Sequence, residues 1–311
     1  MNTDTVSIKK PEDRFAFVDQ DSLYADEITR KNIGFWADAA RRFKQNKVAM
    51  FFLIVLVLLI VMSLLGPVIS GKDYITINGQ DKNMAPCSQY WLGTDNMGRD
   101  LFTRSWVGLR TSLVIALVAA GIQLVVGCLY GSIMATLGGI VDDVMMRIVE
   151  VISSIPNLIL CTLLLVVFGN GYVQLLFALS VTSWTGTARL VRGQILKLRE
   201  SEYVLASKAM GGSNMHRILK HLLPNTLGLL ILELAQAIPS VIFSETSLSF
   251  LGIGLMPPNF SLGTMLQQGQ STMNFYPFQL LVPCVLLSLL VLSFNVVGDA
   301  LRDALDPQLR N

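Results

Sequence analysis

The residues of this chain whose chemistry most needs explaining are ionisable side chains set inside apolar runs. Arg147 and Glu150 stand three apart on one helical face, with Asp143 four before Arg147. Glu233 lies about eight residues into a later apolar run, roughly 12 Å deep at helical rise. Glu245 lies near the far end of that same run. Charges at such depth are costly and face protein or a water-filled path. Arg147, Glu150, Glu233 and Glu245 are therefore either paired between helices or lining a gate, and Glu245 could also meet a partner subunit. Ser180, Thr182, Ser183, Trp184, Thr185 and Thr187 make a second polar set. Either they line a roomy pathway, or their hydroxyls bond helix to helix.

Other chemistries find little support. GPVISGKD (Gly66–Asp73) follows the phosphate-cradling GxxxxGK[ST] pattern until its last position. There Asp73 puts a carboxylate where a magnesium-binding hydroxyl belongs, and no strand–helix context flanks it. It is a chance match. HExxH, GxSxG and GxGxxG are all missing. The two histidines, His216 and His221, lie five apart on an expected helix and should point in different directions. Cys128, Cys161 and Cys284 lie in apolar runs and Cys87 in a polar one, without metal spacing, so no disulfide or metal site is expected.

The elements that must hold these residues are membrane helices. The chain has 311 residues, 52% of them hydrophobic and only 15% charged, which is poor in charge for a soluble protein. A net charge of +2 gives no bias toward nucleic acid. Apolar runs reach the roughly 20 residues needed to cross a bilayer. Six spans are expected: Val48–Ile69, Thr111–Gly138, Val144–Phe168, Tyr172–Val191, Asn225–Phe250 and Phe278–Val297. The fourth is the weakest, because TSWTGTAR (Thr182–Arg189) makes its second half polar. The fold class is all-α integral membrane.

Sidedness follows from Lys and Arg. Nine precede Val48 and seven lie in Arg189–His221, whereas Gly252–Pro277 has none. The positive-inside rule then puts both termini and the Arg189–His221 loop in the cytoplasm of a multi-pass cell-membrane protein. Gly71–Arg110, outside in this scheme, carries five Lys/Arg against four Asp and is the exception. The first long apolar run starts too late for a cleavable signal and should stay as an anchor. Before it, IGFWADAARRFKQNK (Ile33–Lys47) spaces its aromatic and apolar residues helically, as an interfacial helix on membrane lipid or as an ordinary basic flank. Gly127, Gly131, Ala135 and Gly139, in steps of four, form a small-residue ladder for close helix packing.

Between two apolar runs lies EYVLASKAMGGSNMHRILKHLLPN (Glu202–Asn225). Glu202–Met210 reads as a short helix. Gly211-Gly212 permits a tight turn, Ser213 can cap a second helix, Asn214–Leu223, and Pro224 restarts the chain. The product is a helix–turn–helix joined at both ends to membrane spans.

Glu202, Ala206, Gly211 and Leu223-Pro224 resemble the EAA loop of ATP-binding-cassette (ABC) importer permeases. The sequence departs in placing Tyr203-Val204 before Ala206 and His221 where isoleucine is usual. LGTDNMGRDLFTR (Leu92–Arg104), VDDVMMR (Val141–Arg147), ARLVRGQ (Ala188–Gln194), SLSFLGIG (Ser247–Gly254) and GDALRDALDP (Gly298–Pro307) extend the likeness over all but the leader. Together they resemble the C-type membrane subunit of oligopeptide and dipeptide permeases. The resemblance implies a type-I permease core of five helices after the first span. It implies a leader at 1–47, a first span at 48–70, an extracellular segment at 71–106, a permease domain at 107–299 and a tail at 300–311. Within that domain a coupling loop at about 195–224 would dock on an ATPase through Glu202, Ala206, Gly211, Gly212, Leu223 and Pro224. The implied partners are two ATPase subunits that hold ATP and magnesium, a second permease subunit of the B type, and an extracellular binding protein. No cofactor and no catalysis would belong to this chain.

The substrate expected is oligopeptides, with dipeptides, nickel or another small solute as alternatives within the class. From other classes, a secondary transporter would drive uptake by an ion gradient through Glu150 or Glu233. An intramembrane enzyme would need a nucleophile or metal set that the sequence does not offer.

Overall fold

The structure is a computed structural model that describes residues 34–305, apart from Gly212. The leader up to residue 33, Gly212 and the tail from residue 306 lie outside the described residues. The chain divides into two units, Met1–Asp38 and Ala39–Asn311. Among the described residues every helix but the first lies wholly in the second unit.

That first helix, α1 (Phe35–Gln45), is amphipathic, as its spacing predicts. Asn46 then caps α2 (Lys47–Ser70), accepting from the N–H groups of Val48 and Ala49 at 3.1 Å. Phe51, Ile54, Val57 and Leu58 leave α2 an exposed apolar face, suited to lipid. The polar segment after α2 folds through its carboxylates. Asp81 accepts the Tyr90 hydroxyl at 2.7 Å, and Asp95 accepts Met97 N–H at 2.8 Å and Arg99 Nε at 2.7 Å.

Asp100 caps α3 (Leu101–Leu137), taking Thr103 N–H at 2.9 Å. This helix begins ten residues before the span expected from Thr111. The reason is that Thr103, Arg104 and Ser105 break the apolar run yet are buried in protein, so the helix does not need lipid there. The next expected span, Val144–Phe168, is two helices: α4 (Gly139–Ser154) and α5 (Asn157–Phe168), bent by 86°. Pro156 causes the break. It lacks an N–H and forces Ile155 into extended backbone (φ −90°, ψ 127°).

Helix α6 (Tyr172–Leu198) packs along α3. Of the small-residue ladder, Gly127 and Gly131 are the contact: a Cβ there would stand 2.6 Å from Thr187 Cβ and 2.3 Å from the Ala188 carbonyl. Gly139 is not a rung, since it lies past the helix break with nothing within 4 Å. After α6 come α7 (Glu202–Ala209), α8 (Asn214–Arg217) and α9 (Leu223–Phe250). The stretch between the last two expected spans, Gly252–Pro277, contains α10 (Leu262–Thr272), started by a capping box between Ser261 and Thr264. Its Gly263 and Gly269 lie against the backbones of Thr246 and Gln279. Helix α11 (Phe278–Leu305) ends the described chain.

Among the described residues every helix-length apolar element is α-helical. Four helices are long and apolar enough to cross a membrane, or five if the bent α4–α5 pair is one span. The count falls short of six at α6, whose 27 residues suffice in length but whose TSWTGTAR half is too polar. One apolar cluster joins Leu56 of α2, Leu109 of α3, Leu165 of α5, Leu175 of α6, Ile242 of α9 and Leu290 of α11.

Candidate coupling element and membrane-embedded polar contacts

The segment between α6 and α9 is a knob with one buried and one exposed side. Val204 of α7 and Ile218 and Leu222 beyond α8 are buried against Val191, Ile195 and Leu230. Arg199 adds a bond from Nη1 to the Ala135 carbonyl at the end of α3, at 3.1 Å. The turn follows expectation: Gly211 is left-handed, φ 81°, with open space around it. Ser213 Oγ accepts the His216 N–H at 3.2 Å.

The second helix does not stop at Leu223. Residues Ile218–Leu222 form a π-turn, with Leu223 N–H reaching the Ile218 carbonyl, and the chain runs on through Pro224 into α9. Proline offers no N–H to the preceding turn, and the wider i→i−5 spacing absorbs the mismatch. This corrects the expectation for the histidines. A π-turn brings positions five apart onto one face, so the rings of His216 and His221 meet edge to face, 5.7 Å apart. Tyr203 lies 6.3 Å from His221.

Of the expected coupling residues, Glu202, Ala206 and Pro224 are exposed, Leu223 is half-buried, and Gly212 lies outside the described residues. Leu205, Met210, Met215 and Leu219 join them as exposed apolar residues, Met210 at 82%. The anchors Ile218 and Leu222 were not foreseen from sequence. Their spacing of four, matched to Val204 across the turn, was the available signal.

The five residues named as pathway or gate are not brought together. Arg147 and Glu150 pair with each other at 2.7 Å on α4, 81% and 48% exposed, so they join no two helices. Trp184 is buried and tilted against Tyr130, ring centroids 4.5 Å apart. Glu233 accepts from Thr187 Oγ1 at 2.9 Å, and Thr187 accepts from Gln123 Nε2 at 3.2 Å. That chain ties α3, α6 and α9 together. Glu245 is fully buried, and among the described residues no ion pair reaches it. Ser112 Oγ and Ser249 Oγ donate to it at 2.9 and 2.8 Å, and Ser112 also accepts the Leu262 N–H at 3.3 Å. Hydroxyls in place of an ion pair satisfy this carboxyl. Ser180, Thr182, Thr185 and Thr187 are buried. Thr187 and Thr182 reach other helices, Thr182 meeting Cys161 Sγ at 3.3 Å, whereas Ser180 Oγ has no hydrogen-bond partner among the described residues.

One contact went unforeseen. Arg192 of α6 grips Asp142 of α4 with two bonds of 2.6 Å. The two lie fifty residues apart, in VDDVMMR and ARLVRGQ, and nothing in either motif names the other as its partner.

Known proteins share this chain's plan. The family described as binding-protein-dependent transport system inner membrane component matches residues 127–311. The N-terminal TM domain of oligopeptide transport permease C matches residues 34–86. The oligopeptide transport system permease protein OppC of Bacillus subtilis (strain 168) is 41% identical over 286 residues, 92% of this chain and 94% of that protein. This chain belongs to that ABC importer permease family, as a C subunit of the OppC/DppC type.

As a permease of this family it is a multi-pass inner-membrane transport subunit without catalysis of its own. The dipeptide transport system permease protein DppC of the same B. subtilis strain is 41% identical over 301 residues, 96% of this chain and 94% of its own. OppC of Escherichia coli (strain K12) is 38% identical over 289 residues, 92% of this chain and 96% of its own. The permease fold also aligns with a solved structure of the MetNI methionine ABC transporter, TM-score 0.53 and 22% identity, over 63% of this chain and 94% of that one.

Proposed function

We propose that this permease subunit imports oligopeptides, forming the pathway with a second permease subunit of the B type above two ATP-binding-cassette ATPases. The carrying observation is the knob. Leu205, Met210, Met215 and Leu219 are exposed on an element anchored by Val204, Ile218 and Leu222. An apolar patch of this kind on a rigid support fits a protein partner. The coupling loop at about 195–224 then meets the ATPase through Glu202, Ala206, Gly211, Gly212, Leu223, Pro224 and these neighbours. ATP and magnesium belong to the partners, and an extracellular binding protein delivers the substrate.

In this proposal α6 is the sixth span, since 27 residues rise about 40 Å, and its polar half faces other helices. The domain limits stay as the sequence suggests, with 71–106 outside, the permease core at 107–299 and both termini in the cytoplasm. Transport is alternating access: ATP binds one global state of the ATPases better than the other, and the knob passes that difference to the helices. A gradient-driven alternative through Glu150 or Glu233 has little to stand on, because Glu150 is paired with Arg147 and Glu233 is held by Thr187.

Oligopeptides are preferred because the N-terminal match, residues 34–86, is described for oligopeptide permease C. Dipeptides remain the second substrate, since the DppC relative is as similar as OppC. Mild-detergent purification of the tagged chain should recover an ATPase and a second permease. In liposomes that complex, with its binding protein, should take up labelled peptides when ATP is supplied, with a protonophore without effect. A length series starting at dipeptides separates the two substrates. A chain purified alone that still drives proton-dependent uptake would overturn the proposal.

A further inference from the structure

At the end of α3 opposite the knob lies a cavity of about 510 Å³, within the roughly 300–1,000 Å³ of small-molecule sites. Leu255, Pro257 and Phe260 give it apolar walls, and Gln267 and Gln268 give it amides. Two arginines line it, Arg99 and Arg104, and among the described residues no carboxylate does.

The charges on that wall do not balance. Asp95 Oδ2 accepts from Arg99 Nε at 2.7 Å and stands 3.4 Å from Arg104 Nε, so one carboxylate serves two guanidinium groups. The Arg104 side chain is 2% exposed and stacks on Phe260, 4.1 Å from the ring centroid. Its Nη1 bonds the Tyr74 carbonyl at 3.0 Å, while among the described residues Nε and Nη2 have no hydrogen-bond partner. A buried guanidinium with idle donors is costly unless an anion compensates it. Arg99, 11% exposed, is the more accessible of the two, and among the described residues its Nη2 has only a long 3.4 Å contact to Gln268.

We propose that this cavity is a subsite for a carboxylate, the free C-terminus of a short peptide. The proposal rests on the reading of this chain as a peptide importer. Arg99 meets the carboxylate with the paired N–H geometry that suits it. Arg104 behind adds a second guanidinium that shares its one carboxylate with Arg99, and the apolar walls take the peptide body. A peptide's ammonium end would be repelled by the same wall.

The test is calorimetric titration of the full chain in lipid nanodiscs with Ala-Ala-Ala, with its C-terminal amide, and with acetate. The acid should bind about tenfold or more tightly than the amide, and acetate more weakly than the tripeptide. In Arg99→Gln the acid–amide preference should vanish, and in Arg99→Lys part of it should remain. Equal binding of acid and amide by the unaltered chain overturns the subsite, as does a preference that survives in Arg99→Gln. Acetate binding as tightly as the tripeptide means an anion site without peptide recognition, which overturns it too. Import is judged separately. Uptake by the complex with no acid preference removes the subsite alone, and acid preference without uptake removes import alone.

Discussion

The rings of His216 and His221 meet edge to face at 5.7 Å although the residues are five apart in sequence. On a regular α-helix that spacing turns two side chains well away from each other. The π-turn at Ile218–Leu222 brings them to one face. It sits where the knob becomes the membrane helix α9, and such turns tend to mark functional sites.

In a chain otherwise free of cysteine, His216→Cys with His221→Cys should form a disulfide under mild oxidation, since the π-turn turns both side chains to one face, with ring centroids 5.7 Å apart. Adding Pro224→Ala restores an N–H, favours ordinary helix, and should cut the yield. Gel mobility with and without reductant checks both.

Gly211 has φ 81° with nothing within 4 Å of a would-be Cβ. A substitution there is penalised by backbone strain, not by a clash. Gly211→Val should cost about 1–2 kcal/mol or more in the turn and lower ATPase recovery without removing the chain from the membrane. Gly211→Asn should recover most of it, because asparagine tolerates left-handed backbone. The ratio of ATPase to permease in the purified complex is the readout.

Asp142 and Arg192 share two bonds of 2.6 Å between α4 and α6, with side chains 11% and 27% exposed. Removing either end should lower stability by about 1.5–3 kcal/mol, the range for charged hydrogen bonds. The double change Asp142→Arg with Arg192→Asp should be milder than the sum of its parts. Thermal unfolding of the four proteins in detergent gives the coupling directly.

Tyr90 donates its hydroxyl to Asp81, and the carboxylate holds the phenol's pKa up at about 12 from an ordinary 10. A raised phenol pKa means the fold favours the neutral form. The stabilisation is therefore complete below about pH 10 and lost as pH climbs toward about 12. Tyr90→Phe should flatten that part of the alkaline stability profile, measured by thermal scans across the range.

Apolar runs made most of the helices legible, because lipid leaves a backbone little choice. The break in the third run was also written, in the Ile155-Pro156 pair, but mean hydropathy hides one proline. Helix α10 was missed because LGTMLQQGQST is too polar to signal a span and is buried only by its neighbours. The knob's outline was readable from Gly211 and Ser213, which act locally. Its π-turn was not, since it depends on Pro224 lying inside a continuous helix. Long-range partners such as Asp142 with Arg192, or Ser112 with Glu245, leave no mark in local spacing.

The 37 residues of α3 run without a break, a strut about 55 Å long. One end is fixed beside Asp95 and Arg104, and the other receives Arg199 at the foot of the knob. A strut of that length is a lever. Tilting it by about 5° swings its far end by about 5 Å, from its length alone. Because no break interrupts the helix, a displacement of its knob end would change the angle of the end that carries Arg104, with no relay of intermediate contacts required.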